Sequence, residues 1–194
     1  YSHTEGYQTT VSAGYAHVEG QSNLNAGLSS HTEGYNNYTN GTYAHSEGNY
    51  TTATGQGSHS EGYGNYAAGI ASHAEGSQTS ALGDYSHTEG FYTNTTSSFA
   101  HAEGYVTKAQ NNYAHSEGGH TTATGLGSHA EGYCTLAQGN YSHSEGGYTT
   151  ATHTYQRVFG RFNALDTSTA TASSIGDYIE IVGNGTAKNQ LSNA

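Results

Sequence analysis

The chain has no proline, methionine or tryptophan, and a single cysteine, Cys134. One cysteine excludes an internal disulfide framework. No signal peptide opens the chain, and without methionine it reads as a processed product or a piece of something longer. Large apolar side chains are scarce. Four isoleucines, seven leucines, five valines and four phenylalanines make up about a tenth of the 194 residues. That is too little aliphatic surface to cover both faces of a doubly wound α/β sheet, and by composition alone it points toward disorder. No apolar run approaches the ~18 residues of a membrane-spanning helix. Basic residues are scarcer still. Four Lys and Arg stand against fifteen Asp and Glu, for a formal net charge of −11. With no basic patch to neutralise phosphates, nucleic acid is not a partner.

What the chain does have is repetition. His3, His17, His31, His45, His59, His73, His87, His101, His115, His129 and His143 lie 14 residues apart without an insertion. Glu5, Glu19, Glu33, Glu47, Glu61, Glu75, Glu89, Glu103, Glu117, Glu131 and Glu145 follow two residues later, and each is followed by glycine. Disorder does not require a strict phase, so the repeat overrides the composition. Collagen is excluded, because glycine does not recur every third residue and proline is absent.

Fourteen residues are too few for a helix–turn–helix repeat. They suffice for two strands of four or five residues and two tight turns, so stacked copies form a parallel β-solenoid. The glycine after each glutamate marks one turn. Gly27, Gly41, Gly55, Gly69, Gly83, Gly125 and Gly139 mark the other, where a positive φ is expected. Strand side chains alternate faces. Ser2, Thr4, Ala16, Val18 and their equivalents then share one face of the first strand. Thr or Asn at the ninth position and mostly Ala at the eleventh share a face of the second. Two walls of small side chains make a thin interior, which buries little apolar area and stabilises weakly at ~25 cal/mol per Å².

The opposite face of the first strand carries only His and Glu. In a lone solenoid the glutamates would stack in one column, and like charges directly opposite across strands destabilise a sheet. Outward positions of the second strand vary freely, as Thr10, Leu24, Tyr38, Thr52 and Lys108 show, whereas His and Glu never vary. The first strand is therefore read as buried against partner chains, with imidazole N–H donating to carboxylate in an interchain ladder. No metal or other cofactor is assigned, although three chains would bring imidazoles and carboxylates suited to zinc or iron to each layer. Paired ionised groups would raise the histidine pKa values and lower those of the glutamates, with stability greatest between the two. Eleven equivalent copies do not make one activated group in a cleft, so no catalytic residue is assigned and the chain is read as a non-enzyme. Tyrosines flank the motif, and Tyr38, Tyr50, Tyr66, Tyr92 and Tyr148 are candidate receptor contacts, their rings offering apolar faces with a polar handle.

The pattern Ser2-His3-Thr4-Glu5-Gly6 and its ten later copies resemble the head repeat of the YadA-type trimeric adhesins. Those heads are left-handed parallel β-rolls with a Ser-Val-Ala-Ile-Gly unit. The resemblance implies a homotrimer with the His and Glu positions facing its axis, where the family has Val and Ile. The Ser-His-x-Glu-Gly variant looks more like segments of tail-fibre and tailspike proteins from phages and prophages of Gram-positive bacteria. Arg157-Val158-Phe159-Gly160-Arg161-Phe162 and Tyr178 to Thr186 resemble the module that precedes a C-terminal intramolecular chaperone in such fibres. The expected object is an all-β homotrimer. Eleven 14-residue coils over residues 1–154, ~4.8 Å apart, give a rod of roughly 50 Å. Residues 155–194, which hold Val158, Phe159, Phe162, Ile175, Ile179, Ile181 and Val182, form a β cap that locks the three chains. The resemblance implies a virion-borne structural and adhesive segment that meets a host cell-surface glycan or wall polymer, without membrane insertion. The alternatives are a non-catalytic part of a polysaccharide-degrading tailspike and a bacterial trimeric surface adhesin head.

Overall fold

A computed structural model describes residues 1–165, 180–187 and 191–193. All regular structure among the described residues is β. The chain divides into two compact units, Tyr1–Phe99 and Ala100–Ala194. Each is a parallel β-solenoid, and together they hold eleven coils of about 14 residues.

In the first unit, seven strands beginning at His3, His17, His31, His45, His59, His73 and His87 form one parallel sheet, each paired with the strand one coil away. Seven two-residue strands, from Thr10–Val11 to Asn94–Thr95, form the second sheet. The second unit repeats the plan over four coils, with strands beginning at His101, His115, His129 and His143. Its short strands run from Lys108–Ala109 to Thr150–Ala151. The second strand of each coil is thus shorter than the expected four or five residues, because the turn geometry takes the rest of the 14.

Register follows from the repeat. A parallel slip of one residue would turn small side chains outward and His and Glu inward, and only zero offset between equivalent positions avoids this in every coil. His17 therefore pairs with His31 and Val18 with Thr32, and likewise along each unit. The interior is as thin as the alternation requires. Val18, Thr32, Ser46, Ser60 and Ala74 face Asn25, Thr39, Ala53, Ala67 and Ala81, and all are fully buried. Hydroxyl and amide groups fill what a larger core would give to aliphatics. Thr32 Oγ1 donates to Thr39 Oγ1 at 2.7 Å, and Thr39 in turn bonds Ser46. Asn37 Nδ2 donates to Gly48 O at 2.9 Å, and its Oδ1 accepts from Thr51 N at 2.7 Å, tying neighbouring coils.

The turns differ from expectation in an informative way. The glycine after each glutamate does have a positive φ, 102° at Gly48 and 104° at Gly62. The second set of glycines does not. Where glycine stands there the next coil lies very close, a Cβ on Gly41 falling 1.9 Å from Gly55 O, although Ala13, Ser97, Asn111 and His153 hold the same place in other coils. The positive φ values of that turn fall instead on non-glycine residues two positions before the histidine, such as Tyr43 (60°) and Tyr113 (59°). A matching set follows the motif glycine by two, including Tyr50 (58°), Tyr92 (54°) and Tyr148 (55°). The left-handed region costs an L-residue ~1–2 kcal/mol. Stacking offsets that cost, since each such N–H meets a carbonyl of the preceding coil: Tyr43 N to Leu28 O at 2.9 Å, Tyr50 N to Tyr35 O at 3.0 Å.

In-register stacking runs one strand past the last His-x-Glu copy. Arg157–Arg161 pairs with His143–Ser144, placing Arg157 on the histidine column and Phe159 on the glutamate column. Glu180–Asn184 pairs parallel with it, and Gly183 bridges antiparallel to Asn193. Val158 and Ile181 pack against Ala151 in a small apolar cluster. Ile175, Ile179 and Tyr178 of the expected cap lie outside the described residues.

Candidate functional site

Strand alternation sends every repeat histidine and glutamate to the side opposite the small-residue interior, and zero-offset stacking aligns them in columns. From His17 to His87 the imidazoles stack with centroids 4.7–4.9 Å apart and planes within 13°. His101 to His143 stack likewise at 4.6–4.8 Å. The glutamates form the neighbouring column. Glu33, Glu47, Glu61 and Glu75, with Gly48, Gly62 and Gly76, line an open groove along it. At the end of the second column the Arg157 guanidinium donates to Glu145 Oε2 at 3.3 Å and stacks over Phe159.

The two columns meet mostly beyond ordinary hydrogen-bond distance. Nε2 of each histidine lies near Oε2 of its own coil's glutamate, at 3.7 Å for His45–Glu47 and 3.8 Å for His115–Glu117. Several also face the other carboxylate oxygen of the preceding coil. His73 lies 3.5 Å from Glu61 Oε1 and His143 lies 3.4 Å from Glu131 Oε1. Yet Nε2 of His45, His59, His73, His115, His129 and His143 is shielded from solvent and has no hydrogen-bond partner within the chain. The rest of each side chain is about one-third exposed.

Within the single chain the titration departs from the expected one at the histidines and at alternate glutamates. Burial and the neighbouring imidazoles push His45, His59 and His129 below their ordinary value, and His115 down to about 4. Hydrogen bonding between stacked carboxyls splits the glutamates instead. Glu47, Glu75 and Glu117 rise to about 7, while Glu33, Glu61 and Glu131 fall. For the histidines burial is the larger cause and the imidazoles one coil away add to it; for the glutamates the hydrogen-bonded carboxyls one coil away come first, a consequence of the register. Within the chain His45, His59, His115 and His129 are thus biased toward the neutral form, beside carboxyls that share protons.

Aromatic side chains flank this face on both sides. Before the histidine strand stand Tyr15, Tyr43, Tyr85, Phe99, Tyr113, Tyr141 and Tyr155, all at least half exposed. Tyr85 stacks on Phe99 at 5.2 Å and Tyr141 on Tyr155 at 5.4 Å. After the motif glycine a second set of rings packs mostly edge to face, with Tyr148 stacked on Phe162. Tyr50 sits between Tyr35 and Tyr63 at 5.7 and 6.2 Å, Tyr92 meets Phe91 at 4.4 Å, and Tyr148 sits between Tyr133 and Phe162 at 5.6 and 4.8 Å. Three of the five candidate contact tyrosines thus take this corner position, Tyr50 and Tyr92 in the first unit and Tyr148 in the second. Tyr38 and Tyr66 lie elsewhere, on the outer wall of short strands, Tyr66 accepting from Thr54 Oγ1. His120 also takes the corner position, between Tyr105 and Tyr133 at 5.1 and 5.7 Å. It was not among the candidate contacts. Its place eight into the repeat, shared with Tyr50 and Tyr148, is the signal that would have found it.

The arrangement places one histidine and one glutamate in every coil. It offers a periodic polar strip bordered by aromatic rims. Compared with known protein families and with curated proteins, the chain matches none.

Proposed function

We propose that the chain is a structural and adhesive segment of a homotrimeric fibre, a shaft or head of a phage tail fibre that contacts a host cell-surface glycan or wall polymer. The observation that carries this reading is the histidine–glutamate face itself. It is flat, identical in every coil, and bordered by an aromatic ridge in which Tyr15 is 68 % and Tyr43 64 % exposed. Contiguous exposed apolar surface of this kind marks an interaction site, and the thin interior leaves a lone chain little other apolar burial. A surface that repeats along its length meets another that repeats with the same period, which a second and third copy of the chain supply. In the YadA-type heads that the repeat resembles, the corresponding strand faces a threefold axis. The second set of rings, with Tyr50, Tyr92 and Tyr148, supports the adhesive part, because exposed aromatic faces stack on sugar rings. The role is non-enzymatic, since glycoside hydrolysis needs a distinct pair of carboxylates in one groove and here they recur evenly.

The deciding experiment is the mass in solution. It is expected at about three times the 20.2 kDa of the chain, and a folded monomer would overturn the proposal. On the same sample, binding to purified wall polymer or capsule without turnover is expected, and release of sugar fragments would favour the tailspike reading.

A further inference from the structure

We propose that the histidine–glutamate face binds transition-metal dications, Zn²⁺ fitting best, with two imidazoles from adjacent coils and the carboxylate between them as ligands. Three groups display the arrangement. Glu117 directs Oε2 at His115 (3.8 Å) and Oε1 at His129 (3.9 Å). Glu131 does the same toward His129 (4.0 Å) and His143 (3.4 Å). Glu61 lies 4.0 Å from His59 and 3.5 Å from His73. The ligand atoms of His45, Glu47 and His59, and of His73, Glu75 and His87, also gather within 4.8 Å of one another.

The distances decide between a hydrogen bond and a bridging ion. At 3.4–4.0 Å the N···O separations exceed a hydrogen bond. With Zn–N and Zn–O near 2.1 Å, the edge of a zinc tetrahedron is ~3.4 Å. The imidazole–carboxylate gaps therefore need to close by a few tenths of an ångström. The two nitrogens, on rings 4.6 Å apart at His115 and His129, need to close by about an ångström, a tilt that side-chain torsions on a part-exposed face supply. The Nε2 atoms are the second observation. Those of His59, His73, His115, His129 and His143 are covered and unbonded, which is costly for a polar atom and is relieved by a metal bond. A dication also supplies the positive charge that a column of stacked carboxylates lacks. Adjacent groups share a histidine, so occupancy is one ion per two coils, with water at the fourth position.

Every ligand group belongs to one chain, so the inference does not rest on the trimeric reading. The test uses untagged protein carrying Cys134→Ser, unfolded with chelator and refolded with Zn²⁺, Mg²⁺ or Ca²⁺, then gel-filtered and analysed for bound metal. At least three zinc ions per chain are expected, with Mg²⁺ and Ca²⁺ lost on the column. His115→Gln/His129→Gln is expected to retain at least one zinc fewer. His120→Gln/His153→Gln, which changes the only histidines outside the repeat column, is expected to retain all. Less than one zinc on the unmutated repeat overturns the inference whether or not the variants fold. So does a loss that is equal in the two double variants.

Discussion

Substituting glycine by alanine at two positions only two residues apart separates the two physical reasons for glycine in this fold. Gly55 has no unusual φ, but an added Cβ would lie 1.9 Å from Gly69 O and 2.6 Å from Gly69 C in the next coil. That is about 1.5 Å short of an ordinary contact of about 3.4 Å. Both obstacles are backbone, so the coils must part. Overpacking of this kind costs ~1–3 kcal/mol. Parting the coils also strains Thr54 N to Ala67 O (2.9 Å) and Gly55 N to Ala67 O (3.4 Å), each worth ~1 kcal/mol. Gly55→Ala is therefore expected to destabilise by about 2–5 kcal/mol. Gly57 has φ of 65° and nothing within 4 Å of an added Cβ. Ala71 already occupies the equivalent position one coil on, at φ 50°. Gly57→Ala is expected to cost only the left-handed backbone, ~1 kcal/mol. At ~2–4 °C per kcal/mol for a chain of this size, the melting temperature falls by ~4–20 °C for the first variant and ~2–4 °C for the second. The assay is thermal unfolding by circular dichroism at matched protein concentration. Equal shifts, or a larger shift for Gly57→Ala, would refute the close-approach account of the second turn.

The depressed histidines contribute stability that is complete above their ordinary value of 6.5 and is lost as pH falls, toward about 4 for His115. The raised glutamates contribute fully below 4.5 and lose their contribution as pH rises through about 7. The melting temperature is accordingly expected to be greatest between about pH 5 and 7. The imidazole proton resonances of His45, His59, His115 and His129 should titrate below 6.5, and midpoints above 6.5 for these four would restore the ion-pair ladder. Inside the coil, Thr39→Val breaks a hydroxyl chain and strands its partners, at ~1–3 kcal/mol. Thr79→Val removes a buried hydroxyl that has no hydrogen bond and is expected to be neutral or stabilising, so chemical denaturation of the pair should rank them in that order.

Much of the coil was legible because two periods coincide. The 14-residue spacing sets the coil, and the twofold alternation within it assigns Val18, Thr32 and Ala53 inward and His45 and Glu47 outward. The titration was not legible. Pairing His45 with Glu47 is natural along a strand, but their behaviour depends on His31 and His59, fourteen residues to either side, brought to 4.7 and 4.8 Å. The tyrosines divided for a similar reason. Tyr38 and Tyr50 look alike as residues, and only the corner geometry sets Tyr50 between Tyr35 and Tyr63 while leaving Tyr38 on the wall.

The sequence by itself determined the parallel solenoid, its coil length and its inward and outward faces, since an uninterrupted repeat of alternating small and polar residues has one register that buries the small ones. The tertiary structure decided which backbone positions take a positive φ, how closely the next coil approaches the second glycines, and which titratable groups are pushed toward holding or losing protons. Those outcomes depend on how closely one coil lies against the next, a separation of a few ångströms that spacing along the chain does not contain.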